Sequence, residues 1–175
     1  MRYLLAVAVL FFATTASARQ RHLHPLRIHV VKRAPSLSQA ELNAIVAAVQ
    51  QQLDRDFRQY YLLKRPIQLS IGRGHGWRVV VTDRPLHIGK TTVAGYHGFN
   101  AAGVPFARVS TWEGSPSWVM SHEIMEMITD PLCDGREICD GLKARYDVGG
   151  LPVSNFRLPK GNAQLDFCAA VEFCY

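Results

Sequence analysis

The chain has 175 residues and a mass of 19.6 kDa, enough for one domain with a core of its own. Hydrophobic residues make up 48% and charged residues 19%, which excludes a chain that stays mostly disordered. Twenty Lys and Arg against fourteen Asp and Glu give +6, a basic balance that raises an anionic partner and has to be located along the chain.

Residues 1–18 have the layout of a secretory signal: Arg2, an apolar run from Leu4 to Ala13, and Ala16-Ser17-Ala18 as a small-x-small cleavage site. The run is shorter than the ~20 residues that span a bilayer. Cleavage after Ala18 is expected, leaving 19–175 as a single secreted or periplasmic domain with no membrane span. Export into an oxidising compartment favours disulfides for Cys133, Cys139, Cys168 and Cys174, which all lie in the C-terminal segment. Three pairings are open, and the lack of a C-x-x-C pair argues against a zinc ribbon or a thioredoxin-like motif.

After a basic entry, Leu26 to Val31 is β-branched and alternating, and predicts a strand. Ser38 and Glu41 form a capping box, and Leu42, Ile45, Val46, Val49, Leu53 and Phe57 recur at helical spacing until Pro66. Ile67 to Ile71 and Trp77 to Thr82 predict two strands joined by Gly72-Arg73-Gly74-His75-Gly76. That turn lacks the lysine and the following helix of a phosphate loop. Val93 to Phe99 and Pro105 to Thr111 predict paired strands, with Pro105 placing one near an edge. A second helix runs from Pro116 to Asp130-Pro131, where proline stops it, and Gly149-Gly150 marks a hairpin. The expected class is α+β, with a mixed sheet of four to five strands covered by two helices.

The second helix carries the chemistry. Positions four and eight apart on a helix are displaced by only ~40° and ~80°, so His122, Glu126 and Asp130 share one face. Imidazole and carboxylate at this spacing suit a divalent cation. Glu123 then sits where it can take a proton from water activated by the ion, as in H-E-x-x-H metalloproteases, with Glu126 in place of the second histidine. Acidic residues on a helix are ordinarily a solvated face. Here Val119, Met120, Ile124, Met127 and Ile128 already define the buried face, and no Lys or Arg falls between Ser110 and Arg136. Such a cluster repels itself unless a cation neutralises it.

The segment from His97 to Pro159 resembles a group of uncharacterised secreted and phage-associated proteins of the zincin-like metallopeptidase type. The shared blocks are Gly95-Tyr96-His97, the H-E-x-x-E helix with Asp130-Pro131, Glu137-Ile138-Cys139-Asp140, and Val153-Ser154-Asn155-Phe156 with Pro159. A second secreted group is similar over His122 to Asp140. The resemblance implies a zincin-like layout in which the metal helix follows an edge strand along which a peptide substrate lies. It implies His122 and Glu126 as ligands of one ion, most readily Zn2+, and Glu123 as general base. Asp130 becomes a third ligand or the group that fixes one, and Glu137 and Asp140 complete the shell, with His97 in reserve. A carboxylate in place of the second histidine departs from proven metallopeptidases and shifts preference towards harder ions.

The competing reading is a binding module without turnover, in which Asp130, Asp134, Glu137 and Asp140 form a calcium-type oxygen site ordering a disulfide-linked C-terminal segment. A zincin scaffold that has lost activity is a third. His22, His24 and His29 read as part of a flexible basic arm, and His75 and His87 have no partners in sequence. No zinc finger, helix-turn-helix or stacking platform points to nucleic acid, whereas a basic face could touch an anionic cell envelope. The charge is uneven: Arg19 to Thr111 holds fourteen basic residues and four acidic, and Trp112 to Asp147 holds three and eight. The acidic stretch coincides with the proposed metal site.

Overall fold

The computed structural model describes residues 24–61, 63–135, 138–142, 144–158 and Phe167. The expected signal segment, Glu137, Pro159, Cys168 and Cys174 lie outside them.

Strand β1 (Leu26–Arg33) leads into helix α1 (Gln39–Gln52), a π-helical turn (Leu53–Phe57) and a short helix α2 (Arg58–Tyr61). Strands β2 (Ile67–Ile71), β3 (Trp77–Thr82), β4 (Leu86–Ile88), β5 (Thr91–Val93), β6 (Gly95–Phe99) and β7 (Pro105–Ser110) follow, then helix α3 (Pro116–Thr129) and the hairpin β8 (Arg145–Val148) and β9 (Leu151–Ser154). The five-stranded sheet has the order β2-β1-β3-β7-β6, parallel except for β6, which pairs antiparallel with β7 at the edge. The class is α+β with a mixed sheet.

Alternation in the strands sends Ile28, Val30, Val79, Val81, Ala107 and Val109 to one face, and all are fully buried. Helices α1 and α3 cover this face and pack on each other. At the start of α1 the Ser38 hydroxyl accepts from Glu41 N at 3.1 Å while the Glu41 carboxylate accepts from Ser38 N at 2.7 Å. The two hydrogen bonds satisfy amides the helix leaves unpaired. The π-helical turn brings Gln52 and Asp56 to one buried phenol: Gln52 Nε2 donates to Tyr146 Oη at 2.9 Å, and Tyr146 Oη donates to Asp56 Oδ2 at 3.0 Å. Gln52 Nε2 also donates to Ser154 O at 2.7 Å, fastening the β8–β9 hairpin to α1. On the other side Ser154 N donates to Ser121 Oγ at 2.7 Å, so the same hairpin holds α3 in place.

The glycine-rich connection has a less local role than a turn between neighbouring strands. Strands β2 and β3 do not pair with each other but flank β1, so residues 72–76 cross over it. Gly74 passes directly above the His29 ring, where an added Cβ would lie 2.1 Å from Cε1. His29 accepts from Ser70 at Nδ1 (2.9 Å) and donates from Nε2 to His75 O (3.1 Å). It is therefore a support of the crossover in the middle of β1, not part of a flexible arm. The small β4–β5 hairpin was not foreseen, and His87 there sits 3.3 Å from Thr92 Oγ1.

Among the described residues no disulfide forms. Cys139 is a buried free thiol whose Sγ lies 3.9 Å from the His122 carbonyl, and it is not joined to Cys133. The expected disulfide-linked terminus therefore finds no link at Cys139, which is enclosed beneath α3. No helix among the described residues is long and apolar enough to cross a membrane.

Candidate metal centre

Three features position α3: Pro116 in its first turn, Ser121 hydrogen-bonded to β9, and Asp130 ending it before Pro131. Its apolar residues Met120, Ile124 and Met127 are fully buried against the core. That rotation turns His122, Glu123 and Glu126 towards β6. The antiparallel register of β6 pairs His97 with Ala107, whose side chain is buried on the helix side of the sheet. His97 therefore points down onto α3, and its side chain is only 7% exposed.

These groups and Asp140 converge. His97 Nδ1 lies 3.6 Å from Glu123 Oε2 and 3.7 Å from Glu126 Oε2. His122 Nε2 lies 3.2 Å from Glu126 Oε2 and 3.1 Å from Asp140 Oδ1. Two triplets of metal-ligating groups result, His97 with Glu123 and Glu126, and His122 with Glu126 and Asp140, each with its donor atoms within 4.8 Å of one another. Glu126 belongs to both. Donors about 2.0–2.1 Å from an ion at the centre of a tetrahedron are separated by roughly 3.3–3.4 Å. The observed separations bracket that value.

The surroundings orient these donors. Glu126 Oε1 accepts from Cys139 N at 2.9 Å and Asp140 N at 3.2 Å, which leaves Oε2 to the imidazoles. This is the outer-shell support expected of a ligating carboxylate. His97 Nε2 is buried and has no hydrogen-bond partner, leaving Nδ1 as the nitrogen facing the carboxylates. Burial lowers the His122 pKa, but the Glu126 hydrogen bond and the charges of Glu126, Glu123 and Asp140 more than offset this and raise it to about 9. At His97 burial likewise opposes the proton, and Glu123, Glu126 and Asp130 outweigh it, so the pKa rises. At Glu123 burial dominates and pushes the carboxyl pKa up, against the lowering influence of His97 and His122. A base whose pKa is raised towards the working pH is a better proton carrier.

Of the residues anticipated from sequence, His122, Glu123, Glu126 and Asp140 come together here. Asp130 stands outside both triplets. Its Oδ1 accepts from Asp134 N at 2.7 Å and its Oδ2 from Gly135 N at 2.9 Å, so it shapes the loop that leads to Cys139 and Asp140. Glu137 lies outside the described residues. His97, held in reserve from sequence, is as central as any helix residue. The clue was its odd-numbered position in β6, which shares a face with Gly95. Sequence reasoning missed the Cys139 and Asp140 amides altogether.

These groups form the floor of a cleft of about 460 Å3. Its walls include Ile88, Val93, Tyr96, Trp118 and Val119, an apolar lining around a polar floor. Each triplet offers one imidazole and two carboxylates, a donor set that fits a divalent cation. No family model, curated protein or solved structure matches this chain.

Proposed function

We propose that this protein is an exported, zincin-like metal-dependent peptidase. The observation that carries the proposal is that Glu126 from α3 lies between two imidazoles, 3.7 Å from His97 of the edge strand and 3.2 Å from His122, and so belongs to both triplets. His97, His122 and Glu126 would hold the ion, with Asp140 at the rim. A zinc ion held there supplies Lewis acidity, which eases deprotonation of water and polarises a carbonyl. The imidazole in each triplet weighs against the calcium-type alternative, because calcium takes oxygen ligands.

The chain's own residues then do the rest. Glu123 accepts the proton of the attacking water on its carboxylate and returns it to the amine that leaves when the C–N bond breaks. Its burial keeps bulk water from competing for that proton. Strand β6 is an antiparallel edge, so an extended peptide can pair with its free side and lie across the cleft. Ile88, Val93 and Trp118 offer an apolar wall to a substrate side chain.

Glu123→Gln tests the reading. The variant should keep the ion and lose hydrolysis of a mixed peptide library. Undiminished hydrolysis would overturn the assignment of the base, and absence of hydrolysis in the wild type would favour a scaffold without turnover.

A further inference from the structure

The sheet face opposite the helices carries a cluster of arginines. Strand alternation sends Arg33, Arg78 and Arg108 to that face, and all three are exposed. Arg73 joins them from the crossover above β1 and Arg84 from the chain after β3. Two recesses open there. One, of about 380 Å3, is lined by Arg33, Arg84 and Arg108 with Thr82, and the other, of about 310 Å3, by Arg33, Arg73 and Arg78 with His29. They share Arg33 and Val80, so they lie side by side and together make an arginine-lined track across the face.

No carboxylate lines either recess, and among the described residues none of these arginines has an ion pair. Asp83, the nearest in sequence, is engaged by Ser36 and Thr111. Five like charges facing one groove without counter-charges repel one another, and a linear anion lying along it would relieve that repulsion.

We propose that this groove binds a linear sulfated polysaccharide. The guanidinium fork donates two parallel hydrogen bonds to a tetrahedral oxyanion and is weakly hydrated, a match for the singly charged, weakly hydrated sulfate ester. Grooves for single-stranded nucleic acid interleave aromatics for base stacking, and no Phe, Tyr or Trp lines these recesses. The exposed large apolar residues Ile71, Ile88, Phe99, Trp112 and Leu132 line neither recess, so the groove itself offers no exposed apolar anchor for a bilayer. The groove is distinct from the metal cleft and does not depend on the peptidase reading.

The test is titration of the full chain with heparin, polyphosphate, an oligothymidylate and phosphatidylglycerol vesicles at two salt concentrations. Heparin should bind tightest and weaken with salt. The Arg33→Gln, Arg78→Gln, Arg108→Gln triple variant should weaken it by about tenfold, while a charge-matched Arg58→Gln, Lys64→Gln, Arg145→Gln control stays near wild type. The corresponding Arg→Lys triple keeps the charge but loses the fork and should also weaken binding, which guards against a misfolded Gln triple. Equal loss in the control, or equal or tighter binding of polyphosphate, oligothymidylate or vesicles, would overturn the proposal.

Discussion

Glu126 reaches from α3 to the backbone of Cys139, accepting its N–H on Oε1 at 2.9 Å. With the Asp140 N–H, which donates to the same oxygen at 3.2 Å, it connects α3 to the loop carrying Asp140 and leaves the other oxygen, Oε2, to face His97 and His122. A carboxylate in the position where a histidine is more familiar is thereby made directional. The loop itself is set by Asp130, whose two oxygens hold the Asp134 and Gly135 amides.

If His97 is a ligand, removing it should be felt in metal affinity before stability. His97→Ala is expected to weaken zinc binding by on the order of 100-fold, measured by competition with a chelating dye. His87→Ala, on the exposed β4–β5 hairpin, should leave the affinity unchanged.

The pH dependence of stability should reverse with metal. In the chelator-treated protein the His122 pKa is raised from the ordinary 6.5 to about 9, so the protonated ring stabilises the fold. By linkage that contribution is complete below the unfolded-state pKa and is lost as pH rises through about 9. The metal-free midpoint of urea unfolding should therefore fall across this range. With zinc present it should hold or rise, because the ligands bind in their deprotonated form. A metal-free midpoint that climbs through the same window would contradict the assignment.

Gly95 lies where β6 passes closest to α3. A Cβ there would sit 2.6 Å from Glu123 Oε1 and 2.6 Å from Val119 Cγ1. Gly95→Ala should cost about 1–3 kcal/mol by overpacking, and it should lower turnover by displacing Glu123. A thermal melt and an initial-rate measurement on the same sample check both.

Much of this architecture was legible in the sequence where the signal is local. The Ser38 and Glu41 capping box, the Pro116 start and Asp130-Pro131 stop of α3, and the Gly149-Gly150 hairpin each depend on neighbouring residues. The helix periodicity put His122 and Glu126 on one face, as found. What was hidden depends on partners distant in the chain. Nothing in residues 72–76 states that they cross over β1, because parallel pairing on either side of a strand leaves no local mark. His97 has no motif around it, and its importance comes from β6 lying beside α3. The orientation of Glu126 required the loop fold at Cys139.

The buried network behind the site offers a stability test. Tyr146→Phe would leave Asp56 and Gln52 without the phenol that joins them, at a cost of about 1–3 kcal/mol. Urea unfolding of the metal-free protein should show the loss with metal affinity little changed.

The proposed chemistry requires one ion held between β6 and α3. Elemental analysis of purified full-length protein after exhaustive dialysis, alongside Glu126→Ala, measures it most directly. The wild type should hold about one zinc per chain and the variant essentially none. A wild type free of transition metal after zinc loading, or a Glu126→Ala variant that retains its ion, would contradict it.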